Sequence, residues 1–178
     1  MSSLFDYNQD VKKLITLCVL LFAFSCAVGP YVSGKREERS MQKNHSEVRF
    51  KGVGDLSLFS QSWLPENQKT KAVIIMVHGL KDHSDRYQWA AEQLNKNGYA
   101  VYSYDHRGHG DSEGQRVWIN SFDEYISDLE TYYDIVKAEQ PGKPIYIFGH
   151  SMGGAIVTLF SLKKSRPIKG LLLSGPAL

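Results

Sequence analysis

Ser151 is the residue whose setting points most directly to chemistry. It sits in Gly149-His150-Ser151-Met152-Gly153, a G-x-S-x-G pattern, with Gly154 directly behind it. Ile145-Tyr146-Ile147-Phe148 ahead of it reads as a short buried strand, and Ala155 to Leu162 after it reads as an apolar helix. A serine on a sharp strand-to-helix turn is a nucleophile elbow. Gly149 and Gly153 flank the tip because a Cβ at either place would clash as strand and helix close on each other. The turn puts the Ser151 hydroxyl at a helix N-terminus, where free N–H groups can meet a negative oxygen. The plainer alternative is an ordinary N-cap serine. Such a cap needs no small residue on either side.

A second cluster of polar residues lies in Asp105-His106-Arg107-Gly108-His109-Gly110-Asp111-Ser112. Asp105, His106, His109 and Asp111 have the composition of a zinc ligand set. The glycines between them argue against a metal site. No metal and no cofactor is expected.

These residues need a scaffold, and the hydropathy pattern supplies one. Val48–Phe50 and Leu56–Trp63 read as strands joined by a turn at Gly52-Val53-Gly54-Asp55. Ala72 to Val77 is a continuous apolar run of strand length, which suits a central strand buried on both faces. Ser84 to Asn97 reads as a helix with Tyr87, Ala90, Ala91 and Leu94 on one face, closed by Gly98. Tyr99 to Tyr104 is the next strand. Ser121 to Ala138 is a helix with Ser121 and Glu124 as a capping box and Phe122, Tyr125, Ile126, Leu129, Tyr133 and Val136 as its apolar face. Pro141-Gly142 stops it. The elbow strand, a helix from Met152 to about Lys164 and a strand at Ile168–Leu173 follow. Strand alternating with helix predicts an α/β domain with a largely parallel sheet.

The chain has 178 residues and a net charge of +2, enough length for one core and no electrostatic case for nucleic acid. Its two cysteines, Cys18 and Cys26, both fall in an N-terminal apolar segment. There Lys12-Lys13, an apolar run from Leu14 to Phe24 and the small residues Ser25-Cys26-Ala27 form a secretory signal pattern. The run is short for a membrane span. Ala23-Phe24-Ser25-Cys26 also loosely resembles a bacterial lipobox, with Cys26 as the lipidated residue. Residues 1–28 are thus expected to be a signal peptide or a membrane or lipid anchor, and the chain to be exported or held at a membrane surface. Residues 29–46 form a polar linker, and 47–178 the folded domain.

His78-Gly79, His83-Ser84-Asp85-Arg86-Tyr87, Asp105 to Ser112 and Gly149 to Gly154 occur together and in this order. In this the chain resembles the monoacylglycerol lipase and lysophospholipase branch of the α/β-hydrolases, from roughly Val48 onward. The resemblance implies that Ser151 is the nucleophile of an ester hydrolase acting on monoacyl ester lipids. It implies that the backbone N–H groups of Leu80 and Met152 form the oxyanion hole, each such donor contributing a few kcal/mol. It makes Asp105 to Ser112 a buttressing loop, with Arg107 as an ion-pair partner for an acid such as Asp105. His78, Gly79 and His150 flank the site, the two histidine rings expected to fix the oxyanion loop and the elbow by hydrogen bonds rather than to take part in catalysis.

The sequence departs from that family after the serine. The fold orders its triad as serine, then acid, then histidine. Residues 152–178 contain no Asp, no Glu and no His. The resemblance implies a lid insertion, two more strands carrying the acid and the base, and a closing helix, all lying past this stretch. The expectation is therefore the N-terminal portion of an α/β-hydrolase fold that, as 178 residues, is inactive. The rival expectation is a non-catalytic fragment or pseudoenzyme that serves as a binding module.

Overall fold

The computed structural model describes residues 44–66 and 69–178. The expected signal or anchor, Cys26 and nearly all of the linker lie outside the described residues. The strands are β1 (His45–Lys51), β2 (Ser57–Trp63), β3 (Ala72–Val77), β4 (Tyr99–Tyr104), β5 (Ile145–His150) and β6 (Gly170–Ser174). The helices are α1 (Gln88–Lys96), α2 (Phe122–Glu139) and α3 (Met152–Lys163). β1 begins at His45, inside the stretch read as linker.

The six strands form one sheet in the order β1-β2-β4-β3-β5-β6. β1 and β2 make an antiparallel hairpin through a 3-10 turn at Val53–Asp55, and β2 runs antiparallel to β4. β4, β3, β5 and β6 are mutually parallel. All six residues of β3 are buried, as its unbroken apolar run requires. Val73, Ile75 and Val77 point into a core made with Ile126, Leu129, Tyr133 and Val136 of α2 and Ile156, Val157 and Phe160 of α3. Ile74 and Met76 alternate to the other face; they and Ala91 and Leu94 of α1 are buried apart from that core. Each fully buried aliphatic side chain of this kind contributes about 1.5–3 kcal/mol.

Helix boundaries differ from the expected ones by more than one residue at one place. Ser84–Tyr87 is a 3-10 turn, and the α-helix begins only at Gln88. The cause is local: the Ser84 N–H donates to Asp105 Oδ1 at 2.7 Å, which ties the segment to the neighbouring loop. Gly98 does close α1, in the left-handed conformation at φ 86°. Ser121 is the N-cap of α2 and accepts from the Asp123 N–H at 3.3 Å. Glu124 reaches back to the Asn120 N–H at 3.1 Å, one residue beyond the cap itself.

The strand register then fixes the site. Val77 pairs with Gly149, and His150 with Ser174, so β3, β5 and β6 end side by side. Met76 pairs with Ser103, which brings the end of β4 alongside. His78, Asp105, Ser151 and Gly175 each follow or sit at the carboxyl end of a parallel strand, the edge where open α/β sheets place their ligands.

Candidate active site

Ser151 links β5 to α3 with φ 52° and ψ −121°, a left-handed backbone rare for a non-glycine residue. Its side chain makes no capping hydrogen bond. Both facts separate it from an ordinary N-cap, which is extended and bonds back into its helix. The strain is held by neighbours on every side. The Ser151 N–H donates to the Ser174 carbonyl at 3.0 Å, and the Ser151 carbonyl accepts from Gly154 at 2.9 Å and Ala177 at 3.0 Å.

The glycines are required by contact. A Cβ on Gly149 would lie 2.6 Å from the Gly153 carbonyl oxygen and 2.7 Å from Val157 Cγ2. One on Gly153 would lie 2.2 Å from the Val77 carbonyl oxygen, which is backbone and cannot give way. Gly154 is close against Pro176, where a Cβ would come within 2.6 Å. Elbow, β3 end and the strand-β6 exit are thus packed backbone to backbone.

Gly79 faces the serine from the β3 side. A Cβ there would meet Ser151 Cβ at 3.1 Å and the His150 carbonyl oxygen at 3.3 Å. Leu80, the next residue, has an exposed side chain, and Lys81 turns the loop with φ 56°. His78 is fully buried: its Nδ1 is 2.7 Å from the Gly79 carbonyl oxygen, and its Nε2 accepts from the His106 N–H at 2.9 Å. His150 turns its ring toward β6, with Nδ1 donating to the Ser174 carbonyl at 3.0 Å. Both histidines therefore brace the loops that carry the site. Met152 opens α3, so its N–H is one of the unpaired donors of the helix start.

The loop after β4 corrects one expectation. Arg107 does not pair with Asp105. Its Nε donates to Asp128 Oδ2 at 2.7 Å and its Nη2 to Asp128 Oδ1 at 2.8 Å, with Glu124 adding a contact at 3.3 Å. Asp105 is taken up by backbone instead, accepting from Ser84 at 2.7 Å and Asp111 at 2.8 Å. Burial pushes its carboxyl above the usual range. Asp128 escaped the sequence reading, although a carboxylate on the stripe of Tyr125, Leu129 and Tyr132 was a signal that it had a buried partner. Ser174, Pro176 and Ala177, which hold the elbow through backbone and ring contacts, carry no sequence signal at all.

His106 and His109 are spent on carbonyls: His106 Nε2 donates to His78 O at 3.0 Å, and His109 Nδ1 to Arg107 O at 3.0 Å. Among the described residues no group of three or more His, Cys, Asp or Glu is arranged to hold a metal ion. Burial, with like-charge repulsion from His106 and His109, holds His78 well below the ordinary imidazole range. Burial drives His106 down to about 3.

A serine elbow at the carboxyl edge of a parallel sheet, with a loop glycine packed against the serine, has the geometry that acyl transfer needs. The profile of the Hydrolase_4 family (serine aminopeptidase, S33) matches residues 68–178, well over half of the chain. The chain belongs to this family. It resembles the monoacylglycerol lipase-like branch of the α/β-hydrolases. It is 34% identical to the monoacylglycerol lipase of Mycolicibacterium smegmatis over 137 residues, covering 77% of this chain and 49% of that protein. It is 36% identical to the monoglyceride lipase of Homo sapiens over 146 residues, covering 79% of this chain and 48% of that protein. Among solved structures, the monoacylglycerol lipase of Paleococcus ferrophilus matches with a TM-score of 0.57 and 31% identity, covering 68% of this chain and 44% of that one. The chain thus spans about half the length of these relatives.

Proposed function

We propose that Ser151 is the nucleophile that takes the acyl group of a monoacyl ester lipid, with the Leu80 and Met152 N–H groups receiving the oxyanion. The observation that carries this is Ser151 itself, held at φ 52° on the elbow with Gly79 packed against it. Attack by its hydroxyl on the ester carbonyl forms a tetrahedral intermediate whose negative oxygen needs two donors. Apolar side chains at Leu80 and Met152 are no obstacle, since the donors are backbone. The monoacylglycerol and monoglyceride lipases among the relatives support the substrate class.

A second reading applies to the 178 residues taken by themselves. Residues 152–178 supply neither acid nor histidine, and all six histidines precede the serine. Without a base the serine hydroxyl is a weak nucleophile at neutral pH. This polypeptide alone should bind and slowly accept acyl groups from activated esters, but not turn over a monoacylglycerol. We also propose that residues 1–28 send the chain to the membrane or out of the cytosol. Mass spectrometry of the mature N-terminus would decide this, an intact Met1 in the cytosolic fraction counting against it.

The test of the site is covalent. A fluorophosphonate or a p-nitrophenyl ester should label Ser151 and leave Ser151→Ala unmodified. Label on another residue, or unchanged in the alanine variant, would overturn the assignment. Steady hydrolysis of a monoacylglycerol by the 178 residues, abolished in Ser151→Ala, would show that a substitute base exists among them.

A further inference from the structure

We infer that His78 is a positioning residue for the Leu80 donor, locked by His106 into the tautomer that carries its proton on Nδ1. The inference rests on the oxyanion-hole reading above and goes beyond it, because it names what aims the donor.

The proton count is forced. The His106 backbone N–H lies 2.9 Å from His78 Nε2 and can only donate, so that nitrogen carries a lone pair. The neutral ring then holds its proton on Nδ1, 2.7 Å from the Gly79 carbonyl oxygen, which can only accept. Both ends agree on one tautomer. His106 returns a second bond, its Nε2–H donating to the His78 carbonyl at 3.0 Å. The two rings sit 4.0 Å apart, centroid to centroid, and both residues are fully buried. His109 stands behind them, its ring 5.5 Å from that of His78, with its own proton committed to the Arg107 carbonyl at 3.0 Å.

This arrangement acts on one peptide plane. No peptide bond of the described chain is cis, so the Gly79 carbonyl and the Leu80 N–H point to opposite sides of their shared plane. Nδ1–H of His78 draws the carbonyl inward. The Leu80 N–H is thereby turned outward, on a loop whose Gly79 packs against Ser151. A His78 ring protonated on both nitrogens would expel the His106 N–H and free the loop. Burial without a nearby carboxylate partner keeps that form unfavourable.

Two measurements on the 178-residue chain test this. The first is the histidine tautomers by long-range proton–nitrogen NMR. Protonation on Nδ1 of His78 and on Nε2 of His106 is expected; His78 protonated on Nε2 would overturn the inference, whether or not the protein reacts with any ester. The second compares His78→Asn with His78→Gln. The Asn amide nitrogen reaches roughly the place of Nδ1 and keeps the donor, whereas Gln reaches the place of Nε2 and loses it. The Leu80 amide resonance should stay near its original position in His78→Asn and move in His78→Gln. Fluorophosphonate labelling of Ser151 should fall less than about tenfold in the Asn variant. It should fall on the order of a hundredfold in the Gln variant, the loss expected for one oxyanion donor. Thermal unfolding is read alongside, and labelling that falls equally in both, or only in step with stability, would overturn the inference. If the original chain, which supplies no base, is not labelled at Ser151, the tautomer and the Leu80 resonance still decide the role of His78, and label on a residue other than Ser151 counts against the nucleophile assignment alone.

Discussion

Gly79 lies against Ser151 so closely that a methyl group on the glycine would stand 3.1 Å from the serine Cβ. The second contact, at 3.3 Å, is the His150 carbonyl, and backbone there cannot swing aside. Gly79→Ala should therefore push the loop a few tenths of an ångström off the elbow. The fold should survive, since the rest of the loop is anchored by His78 and Asp105. Acylation of Ser151 by an activated ester should slow by about tenfold or more, because displacing an oxyanion donor forfeits part of its effect. Rates equal to the original chain at equal stability would show that the loop does not aim a donor.

Asp128 and Arg107 form the buried charged joint of the domain. Asp128 is fully buried and accepts from Arg107 at 2.7 and 2.8 Å and from the Val53 N–H at 2.9 Å. It therefore ties α2, the β1–β2 turn and the loop after β4 together. Asp128→Ala removes both short bonds and leaves the buried guanidinium, as carboxylate partner, only the 3.3 Å contact to Glu124, which should cost about 3–5 kcal/mol. The double change Asp128→Leu with Arg107→Met should cost less than Asp128→Ala alone, since no charge is then stranded. Denaturant unfolding checks both, and a double variant less stable than the single one would sink the argument.

The same joint shows how far the sequence could be read. Wherever chemistry is local, reading succeeded. Gly149 and Gly153 announce a close backbone crossing, β3 announces its burial on both faces, and Ser121 announces the start of α2. Where the partner is distant, reading failed. Arg107 has an acid two positions away in Asp105, yet the loop folds so that Asp105 meets backbone N–H groups and Arg107 meets Asp128 on a helix far along the chain. The α1 start failed for the same reason, because a bond from Ser84 to Asp105 across the sheet edge overrides local helix preference. The elbow was legible as a motif. Its support from Ser174 and Ala177 was not, since backbone carbonyls and amides leave no mark in residue type.

Acid should weaken the fold through the buried histidines. His78 and His106 both have folded values below the ordinary imidazole value, His106 at about 3. A depressed group contributes stability that is complete above its unfolded value, near 6.5, and is lost as pH falls toward its folded one. At full effect each proton taken up on unfolding costs about 1.4 kcal/mol per pH unit. Desolvation is the largest single effect on Glu124 and raises it, but the Asn120 N–H, Arg107 and the Ser121 N–H together outweigh it; the lowered carboxyl acts in the same direction at lower pH. Asp105, whose carboxyl is raised by burial, acts in the opposite one. The urea midpoint should thus drop steadily between pH 6.5 and pH 5, and His106→Gln should make that drop shallower. A midpoint unchanged across this range would contradict neutral buried rings.

Ser151 should be less stable in its place than glycine would be. Its φ of 52° with ψ of −121° lies where an L side chain crowds its own backbone, a cost of order 1–3 kcal/mol. Ser151→Ala keeps the Cβ and hence the crowding, and the hydroxyl it removes makes no capping bond, so stability should change little. Ser151→Gly removes the Cβ. It also gains freedom in the unfolded chain, which offsets about 0.5–1 kcal/mol of the relief. The net gain should be about 1 kcal/mol, or roughly 2–4 °C in Tm for a domain of this size. Ser151 stands at the N-cap position, where glycine already outranks alanine, so the relief of strain adds to that order. Calorimetry of the two variants side by side decides the matter. An alanine variant as stable as the glycine variant would mean that the elbow stores no strain, and that Ser151 sits there without the constraint that a presented nucleophile requires.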